Sequence, residues 1–324
     1  MSTLEKFGQM FLAIGIFVAV VALVLLVVGR FGGRRGDKIV ALGFILPTAI
    51  MLLVGLVYPA VNTIYQSFKD ANGASFVGLD NFTQILTSSD ERTVLRNTAL
   101  WVLLTPFVAT FIGLLYAVLI DRARVEAFAK ALIFLPMAIS FVGASVIWKF
   151  VYEYRPSGAG VTSHQIGLLN QVLVWMGFKS YQFLLNDPWN NVFLIIVMIW
   201  IQAGFAMTVL SAAIKAIPDD IVEAARLDGL GGIGMFRYIT VPSIRPTLVV
   251  VLTTIAIGTL KTFDIVRTMT GAAFNTNIIA NEFYSQSFRA GNQGLGAALA
   301  VFLFILVIPI VAYNIRQMRL ARAR

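Results

Sequence analysis

The chain has 324 residues, 58% of them hydrophobic and 13% charged, and a formal net charge of +9. Soluble domains carry roughly 45–50% apolar and about 25% charged residues, so this chain lacks the polar surface an ordinary soluble domain needs and reads as an all-α integral membrane protein. With no cysteine, disulfide scaffolds and thiol catalysis are excluded, and the single histidine, His164, leaves little material for a metal cluster or for imidazole acid–base chemistry.

Seven apolar stretches are long enough to span, at roughly 8–29, 39–64, 98–120, 129–151, 191–214, 246–266 and 295–315. The first carries no charge from Phe7 to Gly29. It exceeds the about 7–15 apolar residues of a signal peptide and ends without a small-residue cleavage site, which predicts a retained helix. Gly32-Gly33-Arg34-Arg35 then reads as a linker between an added segment, 1–38, and a six-helix core, 39–324.

The segments between the stretches give a topology. Lys and Arg number 4, 3, 4 and 4 in 30–38, 121–130, 215–245 and 316–324, against 1, 3, 2 and 2 in 1–10, 69–97, 152–190 and 267–294. The two sets alternate along the chain, as the two sides of a membrane must. The positive-inside rule puts the first set and the C-terminus in the cytoplasm, and seven spans then require an N-terminus outside. Trp101, Trp148, Tyr152 and Trp189 fall near the outer ends of spans, where aromatic rings favour the interface. Between two spans, Ile166, Leu169, Val172, Leu173 and Met176 recur at helical spacing. They predict a short helix, either along the membrane surface or packed as an ordinary loop helix.

The longest cytoplasmic segment carries the most information. Pro218 followed by Asp219 and Asp220 predicts a helix start, with the helix running to about Leu227 and stopping at Gly229. A second short helix, about Ile233–Ile239, is expected to end before Pro242. Ile221, Ala224 and Ala225 are expected on one face, a shallow surface that a partner could approach closely. The shape would suit a DNA-binding helix-turn-helix, but Lys215, Arg226, Arg237 and Arg245 face four acids, Asp219, Asp220, Glu223 and Asp228. That balance is poor for phosphate binding. A solvated linker is the remaining plain reading.

Glu223-Ala224-Ala225, Asp228-Gly229, Phe236, Ile239, Pro242 and Pro246 resemble the EAA loop of permease subunits of binding-protein-dependent ABC importers. Val77-Gly-Leu-Asp-Asn-Phe82, Asn97-Thr98 and Phe134-Leu-Pro136 extend the likeness to the maltose-type sugar branch. Phe263–Gly271 and Asn281-Glu-Phe-Tyr284 look most like its α-glucoside permeases. The resemblance implies a six-helix permease core with one extra N-terminal helix, in a cell membrane. It also implies a homologous second permease, an ATPase dimer inside, a solute-binding protein outside and no enzyme activity in this chain.

By the same resemblance Glu223, Ala224, Ala225, Asp228 and Gly229 would meet the ATPase, and Met198, Ile201, Gln202, Phe205, Ile255, Thr259 and Thr262 would line the sugar path. Several of these replace polar or glycine residues of the maltose protein, so maltose itself is not implied. No Gly-x-x-x-x-Gly-Lys-Ser/Thr phosphate loop occurs in the chain, so ATP and Mg belong to partner subunits.

Four charged or titratable residues have plainer readings. Lys261 and Asp264, three apart, could pair on a helix, as an interfacial structural pair or along the path. Lys149 is expected to snorkel to the interface, and His164 to sit on the surface. Two rivals stand beside the sugar importer. The same architecture could serve another solute such as glycerol phosphate, and an ion-coupled secondary transporter would need a deep carboxylate and no EAA loop.

Overall fold

The computed structural model describes residues 3–28, 36–121, 124–156 and 164–322. The linker expected at Gly32-Gly33-Arg34-Arg35 lies outside them. Among the described residues the regular elements are helical, with one isolated β-bridge between Lys69 and Phe76. The chain divides into two units, Met1–Tyr65 and Gln66–Arg324.

In the first unit α1 (Thr3–Val28) covers the first apolar stretch. The second stretch forms α2 (Gly36–Leu52), a π-helical turn (Leu53–Val57) and α3 (Tyr58–Gln66). The wide turn precedes Pro59, which has no N–H to continue an α-helical ladder. Nevertheless Ala41–Gln66 runs on as one apolar helix of 26 residues, long enough to cross a bilayer.

The second unit is built on α5 (Ser89–Ile120) and α9 (Trp189–Lys215). The 32 residues of α5 start at a Ser88 cap, whose Oγ accepts from the Glu91 amide at 3.3 Å. Small residues set how close the helices come. A Cβ on Gly113 of α5 would stand 2.6 Å from the Ala206 Cβ of α9, and one on Gly204 would stand 2.4 Å from the Ile133 carbonyl oxygen. This is the close backbone approach that glycine permits where no hydrophobic effect drives helices together in lipid. Around it pack Ala109, Ala117, Met207, Leu210, Val251 and Ile255, all buried.

The stretch expected as one span at 129–151 is broken. It forms α6 (Glu126–Phe134), a 3-10 turn at Leu135–Ala138 and α7 (Phe141–Val151), bent by 104°. Pro136 interrupts the ladder, Ile139 is extended, and Ser140 caps α7 by accepting from the Gly143 amide at 3.1 Å. The pair still traverses the unit. Glu126 meets Lys215 at one end, and Tyr152 donates its hydroxyl to the Phe193 carbonyl (3.0 Å) at the other. Among the described residues the second to seventh expected spans are thus five apolar helices of crossing length and this bent pair, while α1 covers the first.

A second correction concerns the helix before α12 (Val241–Lys261). It does not end before Pro242: α11 (Gly232–Gly234) and a π-helical segment (Met235–Thr240) lead into α12 without a break, giving Gly232–Lys261 as one helix of 30 residues. Pro242 and Pro246 cannot donate to the ladder, and the π turn just before them absorbs the missing bonds. At its far end this helix stops at Lys261, short of the expected 266. Thr262 is extended (ψ 123°), and the short α13 (Asp264–Met269) starts after Phe263.

One end of the second unit is tied by amides. Asn97 Nδ2 donates to the carbonyls of Asn275 (2.6 Å) and Asn277 (2.9 Å), Asn190 Nδ2 to Phe274 (2.7 Å), and Asn191 Nδ2 to Asn275 (3.1 Å). The loop they hold contains Ala272, Phe274 and Asn275 with φ of 71°, 58° and 58°. Left-handed backbone costs non-glycine residues roughly 1–2 kcal/mol each, which these bonds offset. Beyond the loop lie α14 (Ile279–Phe288) and α15 (Gln293–Arg322). Trp189 is 59% exposed, whereas Trp101 and Tyr152 are buried in the core and Trp148 is half-buried against Trp200.

Candidate functional site

Between α9 and α11 the chain builds a short lever. α10 (Asp219–Leu227) starts at Pro218 with both acids in its first turn, as expected. It ends in a Schellman closure. The Leu230 amide donates to the Ala225 carbonyl (3.1 Å) and the Gly229 amide to the Arg226 carbonyl (3.0 Å), with Gly229 at φ +82°. Nothing lies within 4 Å of a Cβ placed on Gly229, so glycine serves conformation there and not space.

The exposed side of the lever presents Asp220, Ile221, Glu223, Ala224, Asp228 and Gly229. Ala225 does not belong with them. It is 5% exposed and faces the subunit, because the 3.6-residue turn that exposes Ala224 carries its neighbour inward. Two residues that sequence reasoning passed over stand out instead: Leu227 is 89% and Ile233 85% exposed, on either side of the Gly229 turn. Isolated apolar residues in a polar loop were the available signal.

The base of the lever is fixed by charges. Lys215, the last residue of α9, contacts Glu126 at 2.5 Å, and Lys130 contacts the same carboxylate at 2.6 Å. Lys130 also donates to Ser211 Oγ at 2.5 Å. A recess of about 470 Å³ lies beside this cluster, lined by Asp121, Lys215, Asp219, Arg226, Met235 and Thr240 among others. The start of α6, the end of α9 and the root of α10 therefore share one polar joint.

The expected path residues divide by burial. Met198, Ile201 and Ile255 are 0%, 4% and 1% exposed and pack in the apolar core of the subunit. Thr259 and Thr262 are also buried, and each donates its hydroxyl down its own helix, to Ile255 (2.8 Å) and Gly258 (2.9 Å). Gln202 and Phe205 are half-buried. Gln202 is the middle residue of α9, and its Nε2 lies 3.8 Å from where a Gly258 Cβ would be. The structure thus joins the two expected groups through the Gln202–Gly258 approach, while Met198, Ile201 and Ile255 present no polar or open surface of their own in this conformation.

Lys261 and Asp264 form no salt bridge. The helix ends between them, so the three-residue spacing no longer puts them on one face. Arg267 lies over the Tyr284 ring at 5.1 Å, and Phe263 stacks on the same ring at 5.2 Å. Lys149 and His164 are exposed.

The sequence matches the family described as binding-protein-dependent transport system inner membrane component over residues 92–320. It is 46% identical over 276 residues to the osmoprotective compounds uptake permease protein GgtC of Synechocystis sp., covering 85% of this chain and 98% of that one. It is also 46% identical over 296 residues to the alpha-glucoside transport system permease protein AglF of Rhizobium meliloti, covering 89% and 87%. Among solved structures, a chain of a bacterial ABC transporter involved in import of the acidic polysaccharide alginate superimposes with a TM-score of 0.73. At 24% identity it covers 88% of this chain and 96% of that one, a likeness of fold.

Proposed function

Since this chain belongs to the family of binding-protein-dependent transport system inner membrane components, we propose that it forms one half of the pathway of an ATP-driven importer for α-glucosides or related small hydroxylated solutes. The chain is a multi-pass ABC permease subunit, and ATP hydrolysis belongs to a separate subunit. Its partners in this reading are a homologous second permease, an ATPase dimer at the α10 side, and a solute-binding protein at the opposite, amide-tied end. The α10 side is cytoplasmic, the N-terminus is outside, and segment 1–38 is an addition to a core at 39–324.

The observation that carries this reading is the continuity of the lever with both helices of the Gln202–Gly258 approach. α10 follows α9 after three residues, Ala216 to Pro218, and reaches α12 through the unbroken π segment. A displacement of Glu223, Ala224, Asp228 and Gly229 by a closing ATPase is therefore delivered to α9 and α12 together. Coupling requires that ATP-bound and ATP-free partners bind the two permease states differently, and a lever rooted in both pathway helices supplies that difference. The two relatives named for an α-glucoside and for osmoprotective compounds support a small polar solute. The absence of any charge in α9 between Trp189 and Ile214 favours a neutral one over a phosphate ester, since a phosphate passing Gln202 would meet no cation on this helix.

Reconstitution of the complete importer in proteoliposomes tests the proposal. Uptake of a labelled α-glucoside should require ATP and the loaded binding protein and exceed that of glycerol phosphate. Uptake without ATP, or labelling of Asp228→Cys only by an impermeant thiol reagent added outside, would overturn it.

A further inference from the structure

The outer segment 164–188 carries an apolar surface that neither the lever nor the path uses. α8 (Leu168–Trp175) buries Asn170 completely, and Leu169 and Leu173 pack on the core. Its other side and the turn after it expose Leu168 (59%), Trp175 (74%), Met176 (66%) and Phe178 (59%). This surface is held rigidly. Asn170 Nδ2 donates to the carbonyls of Glu153 (2.8 Å) and Tyr181 (3.1 Å), and its Oδ1 accepts from the Tyr181 amide (2.7 Å).

Its depth follows from α9. That helix has 27 residues, about 40 Å at 1.5 Å per residue. A hydrocarbon core of about 30 Å leaves roughly 5 Å, or three residues, at each end in the headgroup layer. With α9 centred and upright across such a core, Phe193 falls at the hydrocarbon boundary. Tyr181 and Phe183 pack on its ring, at 6.0 and 4.8 Å between centroids, and Asn170 binds α8 to Tyr181. α8 is consequently held close to this boundary, and Trp189 projects, exposed, from the first residue of α9, about one helical turn further out.

We propose that α8 is an interfacial anchor. Leu168, Trp175, Met176 and Phe178 seat in the headgroup–acyl boundary of the leaflet at the amide-tied end, and the exposed Lys179 reaches the lipid phosphates. The occupant is lipid because the patch is continuous in depth with a spanning helix and joins large apolar rings to one cation, the composition that favours this layer. The anchor fixes the height of the loop that Asn190 and Asn191 tie to residues 274–275.

The chain has no cysteine, so single substitutions report cleanly in an assembled importer whose other subunits carry no reactive thiol. Trp175→Cys and Phe178→Cys, spin-labelled in lipid nanodiscs, are compared with a membrane control, Phe107→Cys, and an aqueous control, His164→Cys. The expected result is oxygen contact several-fold above contact with an aqueous nickel chelate. Both values should fall between the two controls and stay unchanged when binding protein is added. Nickel contact equal to that at residue 164 would overturn the anchor. Protection from both reagents, or protection that appears only with binding protein, would assign the patch to a protein partner and overturn it too. If the residue 175 variant fails to assemble, Leu168→Cys carries the same comparison.

Discussion

The ammonium of Lys215, on the last residue of α9, lies 2.5 Å from the carboxylate of Glu126, on the first residue of α6. The contact joins the root of the lever to the bent helix pair, and Lys130 shares the same oxygen. In Glu126→Gln the two lysines lose the carboxylate they share, while Asp121 remains 4.0 Å from Lys215. The subunits should still assemble, because the interlocked glycine contacts of α5, α6 and α9 are untouched. Solute moved per ATP hydrolysed should fall several-fold, read from parallel uptake and ATPase assays in proteoliposomes. An unchanged ratio would leave the joint a surface detail.

Gly229 is left-handed with open space around it, so two substitutions separate backbone from chemistry. Gly229→Ala costs about 1–2 kcal/mol of local strain and should weaken the cap while keeping ATPase association. Gly229→Asp bears less strain, since Asp tolerates left-handed backbone better than Ala, and adds a second carboxylate beside Asp228 on the exposed tip. It should abolish uptake and co-purification with the ATPase while the membrane protein stays folded. Equal behaviour of the two variants would assign the effect to the backbone alone.

Leu227 and Ile233 flank that turn as exposed apolar side chains. In the proposed ATPase contact, removing an apolar anchor near the centre of the interface typically costs about 1 kcal/mol or more. Leu227→Ser is expected to weaken ATPase binding at least about fivefold by titration in detergent, with the thermal stability of the isolated permease unchanged. A fall in stability with unchanged binding would place Leu227 inside the fold.

At the middle of α9, the polar side chain of Gln202 approaches Gly258. Gln202→Ala should lower sugar-stimulated transport without dissociating the complex. Gly258→Phe should block it by filling the space in front of Gln202. Thr262→Ala is expected to have the smaller effect, since its hydroxyl already donates to the Gly258 carbonyl. Normal uptake in both Gln202→Ala and Gly258→Phe would remove this approach from the path.

Gly204→Val brings two extra methyl groups and a Cβ against the Ile133 carbonyl oxygen, where the Cβ alone would stand 2.4 Å away. A backbone atom cannot swing aside as a side-chain tip can. Overpacking of this kind costs about 1–3 kcal/mol. A lower midpoint in a fluorescence-monitored melt, with less protein recovered in the monodisperse fraction, is the expected outcome.

The sequence by itself determined the class of molecule and the ends of the lever. Hydrophobic runs of bilayer length, acids beside Pro218 and a glycine after Leu227 act through local propensity and solvation, and local rules are readable along a chain. Pro136 and the Ser140 cap mark the bend at Ile139–Ser140 locally. The passage of a helix through Pro242 and the inward turn of Ala225 were decided in three dimensions, by the π turn that leads into α12 and by the body under α10 that buries Ala225. The left-handed loop at 272–275 shows the same limit, since Asn275 tolerates that backbone but Ala272 and Phe274 do not favour it. Asn97, Asn190 and Asn191, 84 to 180 residues away, satisfy its carbonyls, and the Asn275 side-chain amide donates to Asp187.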